Sequence, residues 1–304
     1  MARLISREEI KGNIRGLHLA NGVPPITKLF YADDVMLFCN AKMSEIRSLL
    51  NCLDCYGKWF GQIISGEKSD IFNSKGVHPE FLRQVKDQLG FKKLRHGTKY
   101  LRVPLFLSNN KAKDFAYVKE KVDVRLASWK SKCLSWAGRA TLIKSVAQSI
   151  PNYTMSTFLL PRKINDRLDA VVRRFWWKPK EDSNKFYSPM AWDDLCRLKD
   201  EDGLGFKKFA KMNQALVSKL GWWILSKKNC FCVKQLAAKY KVRADWLRAP
   251  KASNASWVWK SIERVKNIIK LGACKVVGSG NTILVWEDPW LPNKSGLFQH
   301  QGLK

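Results

Sequence analysis

Acidic residues are scarce in this sequence, which has 26 Asp and Glu against 55 Lys and Arg and a formal net charge of +29. A charge excess of this size repels itself in a compact chain, so it favours a negatively charged partner. Nucleic acid is the first candidate, because each phosphate that a Lys or Arg neutralises releases counterions and adds affinity. An anionic membrane surface is the second, and a merely basic globular protein is the third.

Long apolar runs are also missing, because Lys or Arg interrupts every one of them, and no membrane span is predicted. Residues 1–9 lack the apolar core of a signal peptide, so we expect an intracellular protein. Cys52 and Cys55 have the spacing of a zinc knuckle, but no second Cys or His pair follows at ligand distance. Buried thiols are therefore favoured over a zinc site. A hydrophobic content of 45% nevertheless predicts a folded chain.

The motif that carries the most chemistry is Tyr31-Ala32-Asp33-Asp34, which lies between two β-prone apolar runs at residues 26–32 and 35–39. Two short acidic residues between such runs predict a tight hairpin turn. Since Asp tolerates the positive φ of such a turn, we expect the acids to adopt it. The apolar residues on both sides predict that the strands are buried core elements.

Two adjacent carboxylates on a rigid hairpin suit a hard divalent cation. Mg²⁺ prefers oxygen ligands and binds through carboxylates together with substrate phosphates. Polymerases use two such ions to activate a 3′-hydroxyl and to stabilise the leaving pyrophosphate. Asp33 and Asp34 are therefore predicted to be catalytic ligands of Mg²⁺ or Mn²⁺. The alternative is an ordinary surface turn, because Asp-Asp between strands is a common pair.

Several motifs together resemble the reverse transcriptases of LINE-type (non-LTR) retrotransposons, especially those of plants. The resemblance covers nearly the whole chain and begins at residues 30–34. The later motifs are Gly61 through Lys68-Ser69, Tyr100-Leu101-Arg102-Val103-Pro104-Leu105, Trp129 with Leu134-Ser135-Trp136-Ala137-Gly138-Arg139, Ile150-Pro151-Asn152-Tyr153, Arg174-Phe175-Trp176-Trp177, Gly203-Leu204-Gly205-Phe206 and Trp286-Glu287-Asp288-Pro289-Trp290-Leu291.

The resemblance implies an RNA-directed DNA polymerase located in the nucleus. Its partners would be an RNA template, a DNA primer or RNA–DNA hybrid, and a deoxynucleoside triphosphate. It implies that Lys68 protonates the pyrophosphate leaving group, although a solvated loop lysine is an equal alternative. It also implies nucleic-acid contacts for Tyr31, behind the turn, and for Tyr100 and Leu101, in a primer-grip strand.

Two further sets of residues are candidates for contact with nucleic acid. Basic residues with few acids near them are predicted to contact phosphates rather than to form a merely solvated face; they are Arg139, Lys144, Arg162, Lys163, Arg173 and Arg174. Tryptophans at helical spacing are predicted to be mainly core, with base stacking as the alternative; they are Trp129, Trp136, Trp176, Trp177, Trp222 and Trp223.

The sequence departs from the family pattern at Arg102 and Asp202, which stand where glycine is expected, and at Ser65, which stands where asparagine is expected. A large cation at Arg102 is expected to disturb a close backbone approach to the primer. The family mechanism also needs a third carboxylate from an earlier strand. Before Asp33 the only acids are Glu8 and Glu9, in a leading helix, so we expect a partial polymerase that is inactive alone.

These patterns predict an α+β fold. Residues 1–110 are expected to form a partial palm with an antiparallel hairpin and helix, residues 111–178 a helical thumb-like domain, and residues 189–304 a mainly helical region with a β-hairpin near 273–286, leading toward a zinc-binding module. Residues 178–188 are predicted to be a linker. The alternatives are a non-catalytic nucleic-acid-binding remnant that uses the basic thumb and later surface, and a basic structural protein.

Overall fold

The predicted α+β class is confirmed by a computed structural model, which describes residues 1–95, 97–130, 134–177, 187–281, 283–285 and 290. About half of the chain is helical. The α-helices of the described residues are α1 (Ala2–Ile10), α2 (Met43–Phe60), α3 (Pro79–Leu89), α4 (Lys111–Asp114), α5 (Ala116–Lys130), α6 (Trp136–Leu142), α7 (Asn152–Met155), α8 (Arg162–Trp177), α9 (Trp192–Leu195), α10 (Phe209–Leu225), α11 (Phe231–Lys239), α12 (Trp257–Arg264) and α13 (Lys266–Gly272).

The strands are short and lie in the first part of the chain. They are β1 (Lys28–Tyr31), β2 (Asp34–Leu37), β3 (Asp70–Ile71), β4 (Lys92–Lys93), β5 (Lys99–Tyr100) and β6 (Val103–Pro104). Each pairs with one neighbour only: β1 with β2 and β5 with β6 are antiparallel, whereas β3 with β4 is parallel. The described strands therefore form three separate two-stranded sheets.

The chain divides into two compact units. Unit 1 comprises Met1–Ser108 and Cys230–Lys241, and unit 2 comprises Asn109–Asn229 and Val242–Lys304. The predicted linker at 178–188 and the motif at 286–291 lie largely outside the described residues. At 273–281 and 283–285, where the β-hairpin was expected, the described residues form no strand.

In unit 1, α1 packs against α2 around a small hydrophobic core. Ile5 and Ile14 are buried with Leu49 and Cys52 of α2. Helix α2 ends at Gly61, where a glycine after an amphipathic helix predicts an end, and Gly61 has a φ of 65° and caps the helix in the left-handed conformation. This arrangement positions the start of β1, which follows α1 in the chain.

The prediction of buried strands around the acidic turn is wrong. Leu29, Phe30 and Val35 are 36%, 39% and 39% exposed. The apolar pattern predicted strands correctly, but burial also requires a neighbouring layer on each face. Among the described strands no third one pairs with β1 or β2, so much of their apolar surface remains open.

In unit 2, helix α10 is anchored by polar groups inside the hydrophobic core. Asn213 is fully buried, accepts a hydrogen bond from the Leu160 amide (2.7 Å), and donates to the carbonyls of Met155 (2.9 Å) and Phe158 (2.8 Å). At the start of the helix, the Asp169 carboxylate accepts a hydrogen bond from the Phe209 amide (3.3 Å). Such contacts satisfy backbone groups that would otherwise be buried without partners.

A membrane-crossing segment would need a long apolar helix, and the described part of the chain contains no helix that is both long and apolar enough.

Candidate active site and nucleic-acid surfaces

The acidic motif forms the tip of a two-residue hairpin. Tyr31 pairs with Asp34, so Ala32 and Asp33 make the turn. The positive φ of the turn falls on Ala32, at 48°, and on neither aspartate. The expectation that the acids adopt this conformation is therefore wrong. A two-residue hairpin turn can place its positive φ at the first central position alone, which is what Ala32 occupies here.

Both carboxylates of the motif are open to solvent. Asp33 and Asp34 are exposed, and neither forms an ion pair or side-chain hydrogen bond with any described residue. Tyr31 beside them is 63% exposed. Adjacent carboxylates repel each other unless a cation neutralises them. The tip of the hairpin thus presents two carboxylates whose oxygens could bind a cation.

The described residues do not complete a two-metal site around this pair. No group of three His, Cys, Asp or Glu side chains able to hold a metal occurs among them. Glu8 hydrogen-bonds to Asn13 (2.7 Å) and pairs with Lys11 (2.9 Å), and these contacts hold its pKa below the ordinary value. Glu9 pairs with Lys28 at the start of β1 (2.7 Å). Two-metal catalysis would therefore need ligands in addition to Asp33 and Asp34.

Lys68 lies in an exposed turn between α2 and β3. Its amide donates to the Ser65 carbonyl (3.2 Å), and its ammonium group has no ion pair or hydrogen bond to another described residue. The structure does not join Lys68 to Asp33 or Asp34 by any contact. Its role as a proton donor stays a prediction.

Residues 100–105, where the resemblance implies a primer-grip strand, form a second tight hairpin. Tyr100 at the end of β5 pairs with Val103 at the start of β6. Leu101 and Arg102 make the turn, with φ values of 49° and 67°. Both residues are in the left-handed region that favours glycine, which explains physically why a glycine is expected at position 102. The half-buried Leu101 and the exposed Arg102 therefore lie in a turn rather than within a strand.

Arg139 is fixed by contacts inside unit 2. Its guanidinium carbon lies 4.6 Å from the ring centroid of Trp136, and its Nη1 donates to the carbonyl of Trp176 (3.0 Å). Trp176 is in the last turn of α8, where carbonyls lack partners within the helix and a cation is favourable. Arg139 thus caps α8, a structural role that the sequence analysis did not identify.

An aromatic cluster surrounds this contact. Trp176 is buried, as predicted, and its ring centroid lies 4.8 Å from that of Trp136 and 5.3 Å from that of Phe206. Phe206 also stacks on Trp192 at 5.7 Å. Trp136, in contrast, is 52% exposed. The prediction that the tryptophans are core is therefore right for Trp176 and wrong for Trp136 and for Trp222, which is 46% exposed.

The remaining basic candidates lie on two elements of unit 2. Lys144 belongs to a π-helical turn, Ile143–Ala147, and its Nζ lies 5.8 Å from the Phe206 ring centroid. The other four are on α8, whose opposite side is buried through Ile164, Leu168 and Phe175. Arg162 and Lys163 are exposed near its start, whereas Arg173 and Arg174 are half-buried near its end. Arg162 also pairs weakly with Asp166 (3.6 Å).

The lysines of α10 were not among the predicted contacts for nucleic acid. Lys211 and Lys219 are exposed on this helix, and Lys228 follows it. The signal was available, because residues 203–229 contain six lysines and no acidic residue.

Comparison with known proteins finds two similar plant proteins, while no family model matches the chain. An Arabidopsis thaliana protein named "Putative ribonuclease H protein" is 38% identical over 185 residues, which are 59% of this chain and 29% of that protein. An Arabidopsis thaliana protein named "Uncharacterized mitochondrial protein" is 29% identical over 150 residues, which are 49% of this chain and 97% of that protein. The chain therefore spans less than a third of the first relative.

Proposed function

We propose that this chain is a segment of a plant non-LTR retroelement reverse transcriptase and supplies two metal-binding carboxylates of the polymerase centre. The observation that carries the proposal is the hairpin itself, on which Asp33 and Asp34 are exposed and unpaired beside Tyr31. The order of the later motifs supports it, as do the two plant relatives.

This chain alone is expected to be inactive as a polymerase. Among the described residues no third acid groups with Asp33 and Asp34, and the two earlier acids, Glu8 and Glu9, pair with Lys11 and Lys28. Nucleotide addition by two metal ions needs ligands that hold both ions at once. The cofactor, Mg²⁺ or Mn²⁺, would bind fully only when a further carboxylate and the substrate phosphates are present.

Primer extension tests this proposal directly. The chain is incubated with an RNA template, an annealed DNA primer, deoxynucleoside triphosphates and either Mg²⁺ or Mn²⁺. We expect no extension. Robust incorporation that is abolished by Asp33→Asn would show that the described carboxylates suffice.

Metal binding is a second test of the proposal, and here a positive result is expected. Titration with Mn²⁺, followed by its electron paramagnetic resonance signal, is expected to detect weak binding that is lost in the double variant Asp33→Asn, Asp34→Asn. Asp87→Asn, which removes an exposed acid from α3, is the matched control. Equal Mn²⁺ binding by the double variant and the control would contradict the assignment of these ligands.

A second candidate function is binding of nucleic acid without catalysis, and the exposed cations of α8 favour it. Arg162 and Lys163 are exposed at one end of a helix whose other face is buried. We expect salt-sensitive, sequence-tolerant binding of a primer–template duplex in the nucleus. Replacing both residues with Glu should reduce the slope of log affinity against log salt by about 2, whereas Lys75→Glu should leave it unchanged. Affinity that does not change between low and high salt would rule out contact with phosphates.

A further inference from the structure

Helix α10 and the residues after it carry positive charge and contain no acidic residue of their own. Outside this segment, Asp193 lies close enough to Lys208 and Lys211 for both cations to lower its pKa. Between Gly203 and Asn229 the sequence has six lysines and no Asp or Glu. One of them, Lys208, is paired with Asp193 outside this segment (2.6 Å). Lys211, Lys219 and Lys228 are exposed and form no ion pair with a described residue. Their charge is therefore available to a phosphate backbone.

The buried side of α10 fixes the direction in which these residues point. Asn213 ties the helix to the segment around Phe158 by hydrogen bonds, and Gly221 lies so close to α13 that an added Cβ would approach Ile269 Cδ1 to 2.4 Å. Lys211, Lys219 and Trp222 are spaced by eight and three residues, so they share the opposite, exposed side. Lys211 and Lys219 are about 12 Å apart along the axis at 1.5 Å per residue.

The two adjacent tryptophans at the end of this helix have different environments. The ring of Trp223 is covered by two cations, with Lys228 Nζ at 3.9 Å and Lys219 Nζ at 5.6 Å from its centroid. Trp222 is 46% exposed and has no ring or cation contact to a described residue. An exposed indole on a lysine-rich helix face can bind a base by stacking while the lysines attract its phosphates.

We propose that Lys211, Lys219, Trp222 and Lys228, together called the α10 surface, bind single-stranded nucleic acid. A base stacks on Trp222, and the lysines contact the neighbouring phosphates. The inference rests on the proposed role of the chain in handling nucleic acid, and it names a surface outside the predicted palm and thumb contacts. A single strand fits better than a duplex because stacking on a side chain requires an unpaired base.

A membrane surface fits these observations less well. A helix that lies in a lipid interface buries a broad apolar face among the acyl chains. The apolar face of α10 is already buried in the protein through Phe209, Val217 and Ile224. Of the described large hydrophobic residues of α10, Trp222 alone is exposed, at 46%, and the others are buried or half-buried.

The test measures binding of labelled oligothymidylate, oligouridylate and a short DNA duplex to the full chain by fluorescence anisotropy. Trp222→Ala is expected to weaken binding of both single strands about tenfold, since loss of a stacked base has an effect of this order. Binding of the duplex should change less than twofold. The control is Trp59→Ala, which removes a 66% exposed indole in unit 1. The DNA and RNA strands also show whether the surface distinguishes the two sugars.

Charge reversal tests the phosphate contacts. The double variant Lys211→Glu, Lys219→Glu should reduce the salt slope for a single strand by about 1.4, which is the slope expected for two neutralised phosphates. Lys42→Glu, Lys75→Glu carries the same change of charge on exposed residues of unit 1 and should leave the slope unchanged. Crosslinking of a halogenated oligouridylate should label the tryptic peptide of residues 220–227.

The outcomes distinguish the α10 surface from the more general proposal that the chain binds nucleic acid. If the wild-type chain binds strands but Trp222→Ala and the charge reversal match their controls, the α10 surface is wrong and general nucleic-acid binding stands. If the wild-type chain binds neither strand nor duplex, both proposals fail. Binding of phosphatidylserine vesicles that is lost in Trp222→Ala, without binding of strands, would assign the surface to a membrane instead.

Discussion

The acidic hairpin of unit 1 and helix α10 of unit 2 present their charged residues on very different supports. The hairpin is a two-stranded sheet whose apolar side chains at Phe30 and Val35 remain 39% exposed. Helix α10 has one face fully packed and secured by Asn213. Isolated two-stranded hairpins are marginally stable in water, whereas a helix packed on one side is held by the core. The backbone that carries the lysines of α10 is therefore held more firmly by its own unit than the backbone that carries the two aspartates.

The largest expected change in the free energy of unfolding follows from removing the polar anchor of α10. Asn213→Ala leaves the Leu160 amide and the Met155 and Phe158 carbonyls without their buried partner. Because an unsatisfied buried group costs about 1–3 kcal/mol, we expect a loss of roughly 3–5 kcal/mol in the free energy of unfolding. Denaturant titration measures it.

The control for this variant is its exposed neighbour. Gln214→Ala should change stability by less than about 0.5 kcal/mol. Hydrogen exchange should locate the loss in Asn213→Ala in α10 and in the segment 155–160. A loss below about 1 kcal/mol would mean that Asn213 is not the anchor of the helix.

A smaller loss is expected from the buried carboxylate of unit 1. Glu45 accepts hydrogen bonds from the Arg15 amide (3.2 Å) and from the Asn40 amide and side chain (both 3.0 Å). Burial raises the pKa of Glu45, but these hydrogen bonds more than offset it, so its pKa lies below the ordinary 4.5. Glu45→Gln should lower stability at neutral pH by about 2 kcal/mol, because hydrogen bonds to a charged group are the stronger ones.

The pH dependence of this variant has a definite sign. A group whose pKa is lowered by folding stabilises the protein above its unfolded pKa, and the contribution is lost as the pH falls through the folded value. The difference between wild type and Glu45→Gln should therefore shrink below pH 4.5. Denaturant titrations at neutral and acidic pH measure it. A difference that is constant with pH would exclude ionised Glu45 as the cause.

The sequence predicted those features that depend on local pattern. The acidic turn, helix α2 and its end at Gly61 follow from residue spacing and from the glycine. Exposure of the strands could not be predicted, because an apolar run does not show what covers it. The cap that Arg139 places on Trp176 joins residues 37 positions apart, and a charge pattern contains no information on such a pairing.

At two positions the sequence did not indicate a left-handed backbone, because neither residue there is a glycine. Arg102 and Asp202 both have positive φ, at 67° and 59°, and both stand where the resembled family has glycine. A glycine would have predicted this conformation. Asp enters it more readily than Arg, because its short polar side chain can hydrogen-bond locally. The strain is therefore expected to be larger at Arg102.

A gain in stability is expected when this strain is removed. Arg102→Gly should raise the free energy of unfolding by about 1 kcal/mol, since a residue with a Cβ pays roughly that much to be left-handed. The matched variant Arg102→Ala removes the same guanidinium but keeps the Cβ, so it should not stabilise the chain. Urea titration compares the three proteins. Equal stability of the Gly and Ala variants would show that φ at this corner carries no cost.

The smallest expected effect on stability comes from Asp169 in unit 2, and its pH dependence is opposite to that of Glu45. Burial raises the pKa of Asp169, and the hydrogen bond from the Phe209 amide offsets this only in part. Folding therefore favours the protonated form, so the contribution of Asp169 to stability is greatest below its ordinary pKa of 3.8 and declines as the pH rises through the raised value.

Asp169→Asn keeps an oxygen that can accept from Phe209 but carries no charge. We expect it to be more stable than wild type at neutral pH by less than about 1 kcal/mol, and to lose this advantage in acid. Parallel titrations of Asp169→Asn and Glu45→Gln would then change in opposite directions. A stabilisation by Asn that persists unchanged in acid would instead locate the effect in packing against α10.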